Sequence, residues 1–366
     1  MSGSTSSSAE QGKRVGKKKY RTYGHAWHSS INGHAHHAAS TSSSSSSSSQ
    51  TASAEVPEII ARIFPNSMRD FDFVERSYRH LEKLGFDKTN AIPCVSLCRD
   101  ELTGDLLDLI DKQWKSSFSS TGPGPEGEAG AGGEEEDDED TDAFVMSSLA
   151  GFLLLGDTGI SAALHHSPVD PAGRERFVFY VFPHIGINDA GELGKVHRPG
   201  IGTDSTACGA LIAFRNQLLQ ACDGDTGGST NHNNNSGDGD RSRRQQRFRQ
   251  YVDRFAAESE PLDPNDIEQS IIKRKICRKL KNDHSEAISS CPDLLTITRI
   301  CQSIILEDLK SLIHRNIDNG YIKHCDFAVF SGIQIHGPHF HGYVFPGECY
   351  AVVGDGDNRK KFELSF

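Results

Sequence analysis

Long apolar runs are what this 366-residue sequence most clearly lacks. A membrane-spanning helix needs about 18 or more consecutive apolar residues, and no stretch approaches that length. The best candidate, FVMSSLAGFLLL at 144–155, is too short and is interrupted by serine and glycine. The N-terminal region also lacks the apolar segment of a secretory signal. The sequence therefore predicts no membrane span.

Compact cysteine motifs are missing as well. The nine cysteines are irregularly spaced, lie mostly within apolar runs and form no C-x-x-C pair. Such spacing is not typical of a secreted disulfide framework, so we expect reduced thiols, most of them small buried hydrophobic residues. The glycine-rich segment at 186–202 contains neither G-x-G-x-x-G nor a Walker motif, which argues against a phosphate-binding loop.

Three segments contain too few aliphatic residues to form a core. Residues 1–55 are dominated by serine and include a basic patch (KRVGKKKYR, 13–21), while 116–142 and 223–240 are low-complexity segments. Such segments bury too little surface to offset the conformational entropy that folding costs. We predict a disordered leader at 1–55 and one domain at 56–366, with inserts at 116–142 and 223–240.

The formal net charge of −11 does not describe the predicted domain. Ten acidic residues lie in 116–142, and without them the net charge is −1. The acidic balance therefore belongs to one insert and does not imply a basic partner. The basic patch has no counterpart in the domain, so we predict no nucleic-acid partner. A serine-rich, basic, acid-poor leader is typical of an organelle transit peptide; a disordered tail of a cytosolic protein is the alternative.

The predicted domain alternates between strand and helix patterns. Apolar runs of strand length occupy 91–97 and 176–187, and three further strand patterns close the chain. Helical spacing follows after Asp100 and from Ala207, and it dominates 241–317. The apolar segment 143–155 is also predicted to be a helix. Such alternation indicates an α/β fold, in which sites form at the carboxyl ends of strands.

Three residues with metal-binding side chains lie at the ends of predicted strands or at the start of a predicted helix. Cys98 ends the first strand, His184 ends the second, and Cys208 opens a helix. Two thiolates and an imidazole are ligands that zinc prefers, and three protein ligands leave one position open. However, 86 residues separate Cys98 from His184 and 24 separate His184 from Cys208. Such spacing equally allows three core residues that happen to end secondary-structure elements.

Four segments resemble one known family. SLCRDELTGDL (96–106), FPHIGINDAGELGKVHRPG (182–200), ACGALIAF (207–214) and SGIQIHGPHFHGYVFPGECYAVV (331–353) are similar to the limiting-CO2-inducible protein B/C family of algae. The resemblance extends from about residue 57 to the end, apart from the two inserts. It implies a β-carbonic-anhydrase-like fold, with a central mixed sheet and flanking helices.

The same resemblance implies a function and a site. It makes Cys98, His184 and Cys208 the ligands of Zn²⁺ in a carbonic anhydrase that reversibly hydrates CO2 to bicarbonate in a CO2-concentrating context. Zinc-bound hydroxide would attack CO2, with Asp100 accepting a hydrogen bond from it and apolar walls around Phe182, Ile185 and Ile187. The family further implies a homodimer or a hetero-oligomer with a paralogue, in the chloroplast stroma, with a cytoplasmic location as the alternative.

The sequence departs from ordinary β-carbonic anhydrases beside the first ligand. Their C-x-D-x-R motif is matched by Cys98 and Asp100, but Leu102 stands where the arginine belongs. That arginine pairs with the aspartate and keeps it off the zinc. Arg99 is the candidate substitute, although adjacent residues in extended backbone point apart, and Arg198 is the runner-up. We therefore predict Asp100 and Arg99 as catalytic residues.

Two other functions remain open from the sequence. If Asp100 is unpaired it could occupy the fourth zinc position, and the chain would be a catalytically weak homologue that binds CO2 or bicarbonate or acts as an assembly subunit. A third function is a thiol-dependent hydrolase that uses Cys98 or Cys208 with His184. His336, His339 and His341 could form a second metal site, because imidazoles at i and i+2 share a strand face; a polar turn is the alternative.

Overall fold

A mixed sheet of eight strands forms the centre of the computed structural model, in the order β1-β9-β8-β4-β2-β3, with β10 paired to β9 and β5 paired to β8. The structure describes residues 56–115, 143–169, 173–197, 203–223, 237–283, 291–320, 325–354 and 356–366. The pairs β2–β3, β2–β4, β4–β8 and β5–β8 are parallel, whereas β9 is antiparallel to β8, β1 and β10. Strands β6 and β7 form a separate antiparallel pair.

The strands are β1 (Met68–Arg69), β2 (Ile92–Ser96), β3 (Phe144–Val145), β4 (Glu175–Val181), β5 (His184–Gly186), β6 (Lys195–His197), β7 (Asp204–Thr206), β8 (Cys325–His336), β9 (Gly342–Val353) and β10 (Lys360–Glu363).

Helices cover both faces of the sheet, and strand β4 shows why. Its residues alternate between two buried clusters: Phe177 and Phe179 belong to one, and Val178 and Tyr180 to the other. The first cluster includes side chains of α1, α4, α5, α6, α7 and α8, and the second includes side chains of α2 and α3. Because both faces are covered, this strand is apolar and buried from Phe177 to Val181. The helices are α1 (Glu58–Ile63), α2 (Asp70–Glu82), α3 (Gly104–Trp114), α4 (Gly156–His166), α5 (Gly209–Asp223), α6 (Gly237–Ala256), α7 (Ile267–Asp283) and α8 (Leu294–Asp318).

The predicted α/β class with a mixed sheet and flanking helices is confirmed, but one predicted helix is wrong. Residues 143–155 form the short strand β3 and a single 3₁₀ turn at Leu149–Gly151. The segment runs beside β2, with the N–H of Met146 donating to the carbonyl of Val95. Apolar character alone did not distinguish a buried extended segment from a buried helix.

The predicted strand at 176–187 is divided in two. β4 ends at Val181 and β5 begins at His184, so that Phe182 and Pro183 form a break. Both strands pair with β8. Among the helices that the structure describes, none has the length and apolar character needed to cross a membrane.

The predicted leader and most of the predicted inserts lie outside the described residues. This applies to residues 1–55 and 116–142, and to 224–236 within the second insert. The flanking ends of that insert are helical, because α5 ends at Asp223 and α6 begins at Gly237. The predicted domain boundaries stay predictions.

Candidate metal centre

Cys98 lies just beyond the end of β2, where a neighbouring segment contacts its sulfur. It forms a parallel bridge with Ser148, and the backbone N–H of Ala150 donates to Cys98 Sγ at 3.1 Å. Ala150 has a left-handed backbone with φ 54°, a conformation that residues other than glycine rarely adopt. A backbone N–H bonded to the sulfur favours the thiolate form of Cys98.

The two ring nitrogens of His184 have different surroundings. Nδ1 lies 2.9 Å from Nε2 of His336, the last residue of β8. Nε2 is buried and has no hydrogen-bond partner in the described part of the chain. Burying a polar atom without a partner is unfavourable. The Nε2 atom is therefore available for a ligand that the protein itself does not supply.

Cys208 reaches the site from the residue before helix α5. Its backbone is left-handed, with φ 61°, and its N–H donates to Asp100 Oδ2 at 3.3 Å. Gly186 permits this approach: a Cβ atom there would lie 2.8 Å from the Cβ of Ala207 and 2.7 Å from the carbonyl oxygen of Lys195. The missing side chain therefore lets the start of α5 pack closely on β5, which begins with His184.

The structure brings the three predicted ligand residues together. One ligand atom from each of Cys98, His184 and Cys208 lies within 4.8 Å of the others, and all three residues are at least 96 % buried. Of the residues that the structure describes, no other group of three or more has this arrangement. Two sulfurs and one imidazole nitrogen, the unpartnered Nε2 of His184, fit a Zn²⁺ ion.

The two thiols have pKa values shifted in opposite directions. A hydrogen bond from the Cys208 thiol lowers the pKa of Cys98 well below its usual range, with help from the adjacent His184 ring, although burial acts against it. Burial raises the pKa of Cys208, and the neighbouring Cys98 sulfur raises it further. The two shifts favour one thiolate and one thiol in the pair, and a negative charge at this position favours a cation.

Asp100 lies beside this group and is held by backbone N–H groups. Its Oδ1 accepts from the N–H of Leu102 at 3.2 Å, and its Oδ2 accepts from the N–H of Cys208 at 3.3 Å. Oδ2 is also 3.8 Å from Nε2 of His184. The carboxylate is therefore fixed at the edge of the ligand group.

Arg99 points elsewhere. Its Nη1 contacts Glu268 Oε2 at 3.2 Å, and its Nε donates to the carbonyl of Ser147 at 3.2 Å. No ion pair joins Arg99 to Asp100 among the described residues, which follows from their adjacent positions in the chain. Arg198, the runner-up, lies outside the described residues. The catalytic role assigned to Arg99 stays a prediction.

The predicted apolar wall is only partly formed by the expected side chains. Phe182 packs edge-on against Phe73, with ring centroids 5.6 Å apart, in the cluster on the α2 and α3 side. Ile185 and Ile187 belong to the other cluster, which also contains Cys98 and Cys208. Phe182 is therefore a core residue on the opposite face, because it continues the alternation that places Val178 and Tyr180 in the same cluster.

Of the three histidines proposed as a second metal site, one lies at the candidate metal centre and two lie at the surface. His336 joins the site, whereas His339 is exposed and His341 lies 3.5 Å from Arg69 at the surface. These three imidazoles do not form a metal-binding group in the described part of the chain. All nine cysteines are free thiols; those outside the site are Cys94, Cys222, Cys277, Cys291, Cys301, Cys325 and Cys349.

Sequence reasoning missed two features of the site. The first is the contact between His184 and His336, which depends on the register of β5 and β8. The second is the use of backbone N–H groups on Cys98 and Asp100, from Ala150, Leu102 and Cys208. A pair of histidines near a strand end hinted at the first, but no side-chain pattern indicates the second.

The chain matches one family model over most of its length. The model is that of the limiting CO2-inducible proteins B/C, beta carbonic anhydrases, and it matches residues 67–133 and 134–353. None of the curated proteins compared with the chain matches it.

Several solved structures are similar to the chain, and the following are three of them. The crystal structure of limiting CO2-inducible protein LCIB is 26% identical, with a TM-score of 0.55, and the match covers 83% of this chain and 97% of that one. PtLCIB4, a homologue of LCIB, is 21% identical with a TM-score of 0.54, covering 84% and 99%. A histidine-to-alanine mutant of PtLCIB4 is 20% identical with a TM-score of 0.52, covering 80% and 92%. The two PtLCIB4 structures support the fold alone.

Proposed function

Because the chain belongs to the limiting CO2-inducible protein B/C family of beta carbonic anhydrases, we propose that it is a zinc-dependent carbonic anhydrase that reversibly hydrates CO2. One observation carries the proposal. The side chains of Cys98, His184 and Cys208 converge within 4.8 Å, buried, around a histidine Nε2 that has no partner in the described part of the chain.

Cys98, His184 and Cys208 would hold the zinc through two sulfurs and one nitrogen. A Zn²⁺ ion with three protein ligands lowers the pKa of water to about 7, which supplies a nucleophile at neutral pH. The surrounding protein contributes a dry environment, since all three ligands are buried. Ile185 and Ile187 belong to the same buried apolar cluster as Cys98 and Cys208, and apolar surroundings suit an uncharged gas as substrate.

Asp100 would orient the attacking water. Its Oδ2 lies 3.8 Å from His184 Nε2, at the edge of the ligand group, and an ionised carboxylate accepts hydrogen bonds only. By accepting from the water, Asp100 directs the water's lone pair toward CO2. The N–H groups of Leu102 and Cys208 hold the carboxylate in place, the task that an arginine performs in the C-x-D-x-R pattern.

The short distance between Asp100 and the ligand group also favours a second function. Among the described residues no arginine pairs with Asp100, and its Oδ2, 3.8 Å from His184 Nε2, is close enough to the ligand group to take the fourth zinc position. The chain would then be a catalytically weak homologue that binds CO2 or bicarbonate or acts as an assembly subunit. The thiol-dependent hydrolase has less support, since the three side chains form one compact ligand set rather than a thiol–imidazole pair.

Stopped-flow measurement of CO2 hydration with a pH indicator separates these functions. The purified zinc protein should accelerate hydration, and Cys208→Ser should remove both the zinc and the acceleration. Cys291→Ser is the matched control, because Cys291 is a free thiol outside the ligand group, and it should behave as wild type. Full zinc occupancy without acceleration would favour the second function. A protein that binds no zinc but hydrolyses esters would favour the third.

Assembly and location extend the proposal. We propose a homodimer, or a hetero-oligomer with a paralogue, acting in a CO2-concentrating context in the chloroplast stroma. The composition of residues 1–55, rich in serine and poor in acids, supports import into an organelle. Sedimentation equilibrium of the purified chain should give twice its 40.0 kDa mass. A fluorescent fusion to residues 1–55 should enter the organelle; retention in the cytoplasm would contradict this location.

A further inference from the structure

We infer that His336 is a positioning residue for His184: it fixes the tautomer in which Nδ1 carries the proton and Nε2 presents its lone pair to the centre formed with Cys98 and Cys208. The inference rests on the zinc-binding part of the proposed function. It does not depend on whether the bound zinc is catalytically active.

The contact between the two rings is short and dry. Nδ1 of His184 lies 2.9 Å from Nε2 of His336. The ring centroids are 5.1 Å apart and the planes are inclined by 82°, so the edge of one ring faces the other. His184 is fully buried and His336 is 6 % exposed. Water therefore has little access to compete for this hydrogen bond.

The sheet fixes where the His336 ring can lie. β5 pairs with the end of β8 in parallel, with His184 opposite Gln334 and Gly186 opposite His336. The N–H of Ile187 donates to the carbonyl of His336 at 2.8 Å, which holds the last residue of β8 in register. A one-residue slip of this pairing would turn the His336 side chain to the other face of the sheet.

The choice of tautomer follows from the partners of each nitrogen. A neutral imidazole has one N–H donor and one acceptor nitrogen. With the proton on Nδ1, His184 donates to His336, and the single N–H of the ring therefore has an acceptor. With the proton on Nε2, the ring would turn a buried N–H toward the centre, where the Asp100 carboxylate is 3.8 Å away and no described acceptor lies at hydrogen-bond distance. The protein thus favours the form that can bind a metal through Nε2.

A ligand histidine that donates its second N–H to a fixed acceptor is oriented and made more basic. In this chain the acceptor is a second histidine, supplied by the strand beside that of the ligand. His336 therefore acts through His184, and its loss should weaken zinc binding before it affects anything else at the site.

Three variants test this inference in zinc-competition titrations against a chelator. His336→Leu removes the acceptor and should weaken zinc binding by about 10- to 100-fold. His336→Gln keeps an acceptor oxygen and should restore much of the affinity. His341→Leu is the matched control, because His341 lies at the surface, and it should leave the affinity unchanged. The Co²⁺-substituted proteins should show a shifted ligand-field spectrum for His336→Leu only.

The outcomes that overturn the inference are distinct from those that overturn the proposed function. Wild-type zinc affinity in His336→Leu would overturn it, as would equal weakening in the leucine and glutamine variants. Nitrogen-15 NMR of the metal-free wild-type protein gives a second, variant-independent test, because it reports the tautomer directly. A proton on Nε2 of His184 would overturn the inference even if His336→Leu does not fold or the wild-type chain binds no zinc.

Discussion

Cys208 and Ala150 share a left-handed backbone, and both contact the sulfur of Cys98. Their φ angles are 61° and 54°. The Ala150 N–H donates to that sulfur, and the Cys208 thiol hydrogen-bonds to it. Strained residues of this kind cluster at functional sites, where the surrounding structure holds them in place. At this site the left-handed backbone directs the N–H of Ala150 and the thiol of Cys208 toward the sulfur of Cys98.

The strain at Cys208 can be measured with two truncations that remove the same thiol. Glycine adopts a positive φ without the penalty of about 1–2 kcal/mol that other residues incur. Glycine also makes the unfolded chain more flexible, which offsets part of this gain. We therefore expect the free energy of unfolding of metal-free Cys208→Gly to exceed that of Cys208→Ala by about 1 kcal/mol. Urea denaturation gives the two free energies of unfolding.

Ala207 provides the control for this comparison. It is fully buried and is not among the described residues with positive φ, so Ala207→Gly should destabilise the protein. If Cys208→Ala is as stable as Cys208→Gly, the left-handed backbone at this position carries no strain.

Strand ends determine how the elements meet at the site. Cys98 follows β2, His184 opens β5 and Cys208 precedes α5. The break after β4 lets β5 restart beside β8, where the N–H of Gln334 donates to the carbonyl of Pro183. The site thus gathers groups from beyond the carboxyl end of β2, from the break between β4 and β5 and from the residue before α5, the region in which open α/β sheets place their sites.

Gly186 is a point of close approach between β5 and the segment that leads into α5. In Gly186→Ala the new Cβ would lie 2.7 Å from the Lys195 carbonyl oxygen and 2.8 Å from the Ala207 Cβ, so β5 and the start of α5 must separate. We expect a loss of about 1–3 kcal/mol in stability, together with weaker zinc binding because Cys208 follows Ala207. Urea denaturation and chelator competition measure the two effects.

Gly104→Ala is the matched control for that substitution. Gly104 opens α3, and a Cβ there would meet nothing within 4 Å. Because alanine favours a helix over glycine, this variant should be as stable as wild type or slightly more stable. Wild-type stability and zinc affinity in Gly186→Ala would show that β5 and α5 tolerate separation.

At the scale of the whole molecule, zinc would join segments that are distant in the chain. The three candidate ligands span residues 98 to 208, and a ligand that binds only the folded state stabilises it in proportion to the logarithm of its concentration. At free zinc about a thousandfold above its dissociation constant, the gain is about 4 kcal/mol. We therefore expect a chelator to lower the melting temperature of the wild-type protein.

Cys208→Ser separates this linkage from a general effect of the chelator. A variant that binds no zinc should melt at the same temperature with and without chelator. If the wild-type protein is equally insensitive, zinc does not bind the folded chain at these concentrations.

The sequence alone indicated the α/β class, because strand and helix patterns are local properties. It offered Cys98, His184 and Cys208 as candidate ligands, and the resemblance to one family, rather than their spacing, gave them that role. It did not determine that residues 143–155 are extended, since apolar residues suit a buried strand and a buried helix alike. The catalytic role that the sequence assigned to Arg99 stays a prediction; the hydrogen bonds that described residues donate to Asp100 come from the N–H groups of Leu102 and Cys208, which no residue pattern indicated.

Only the tertiary structure decided which groups surround the three candidate ligands. The His184–His336 contact exists because β5 and the end of β8, 152 residues apart in the chain, pair in one register. Cys98 and Asp100 accept hydrogen bonds from backbone N–H groups, which nearly every residue carries. Only the course of the backbone in the folded chain determines which of those N–H groups point at the site. Residue types therefore set the chemistry of the centre, while long-range strand pairing and backbone direction set its geometry.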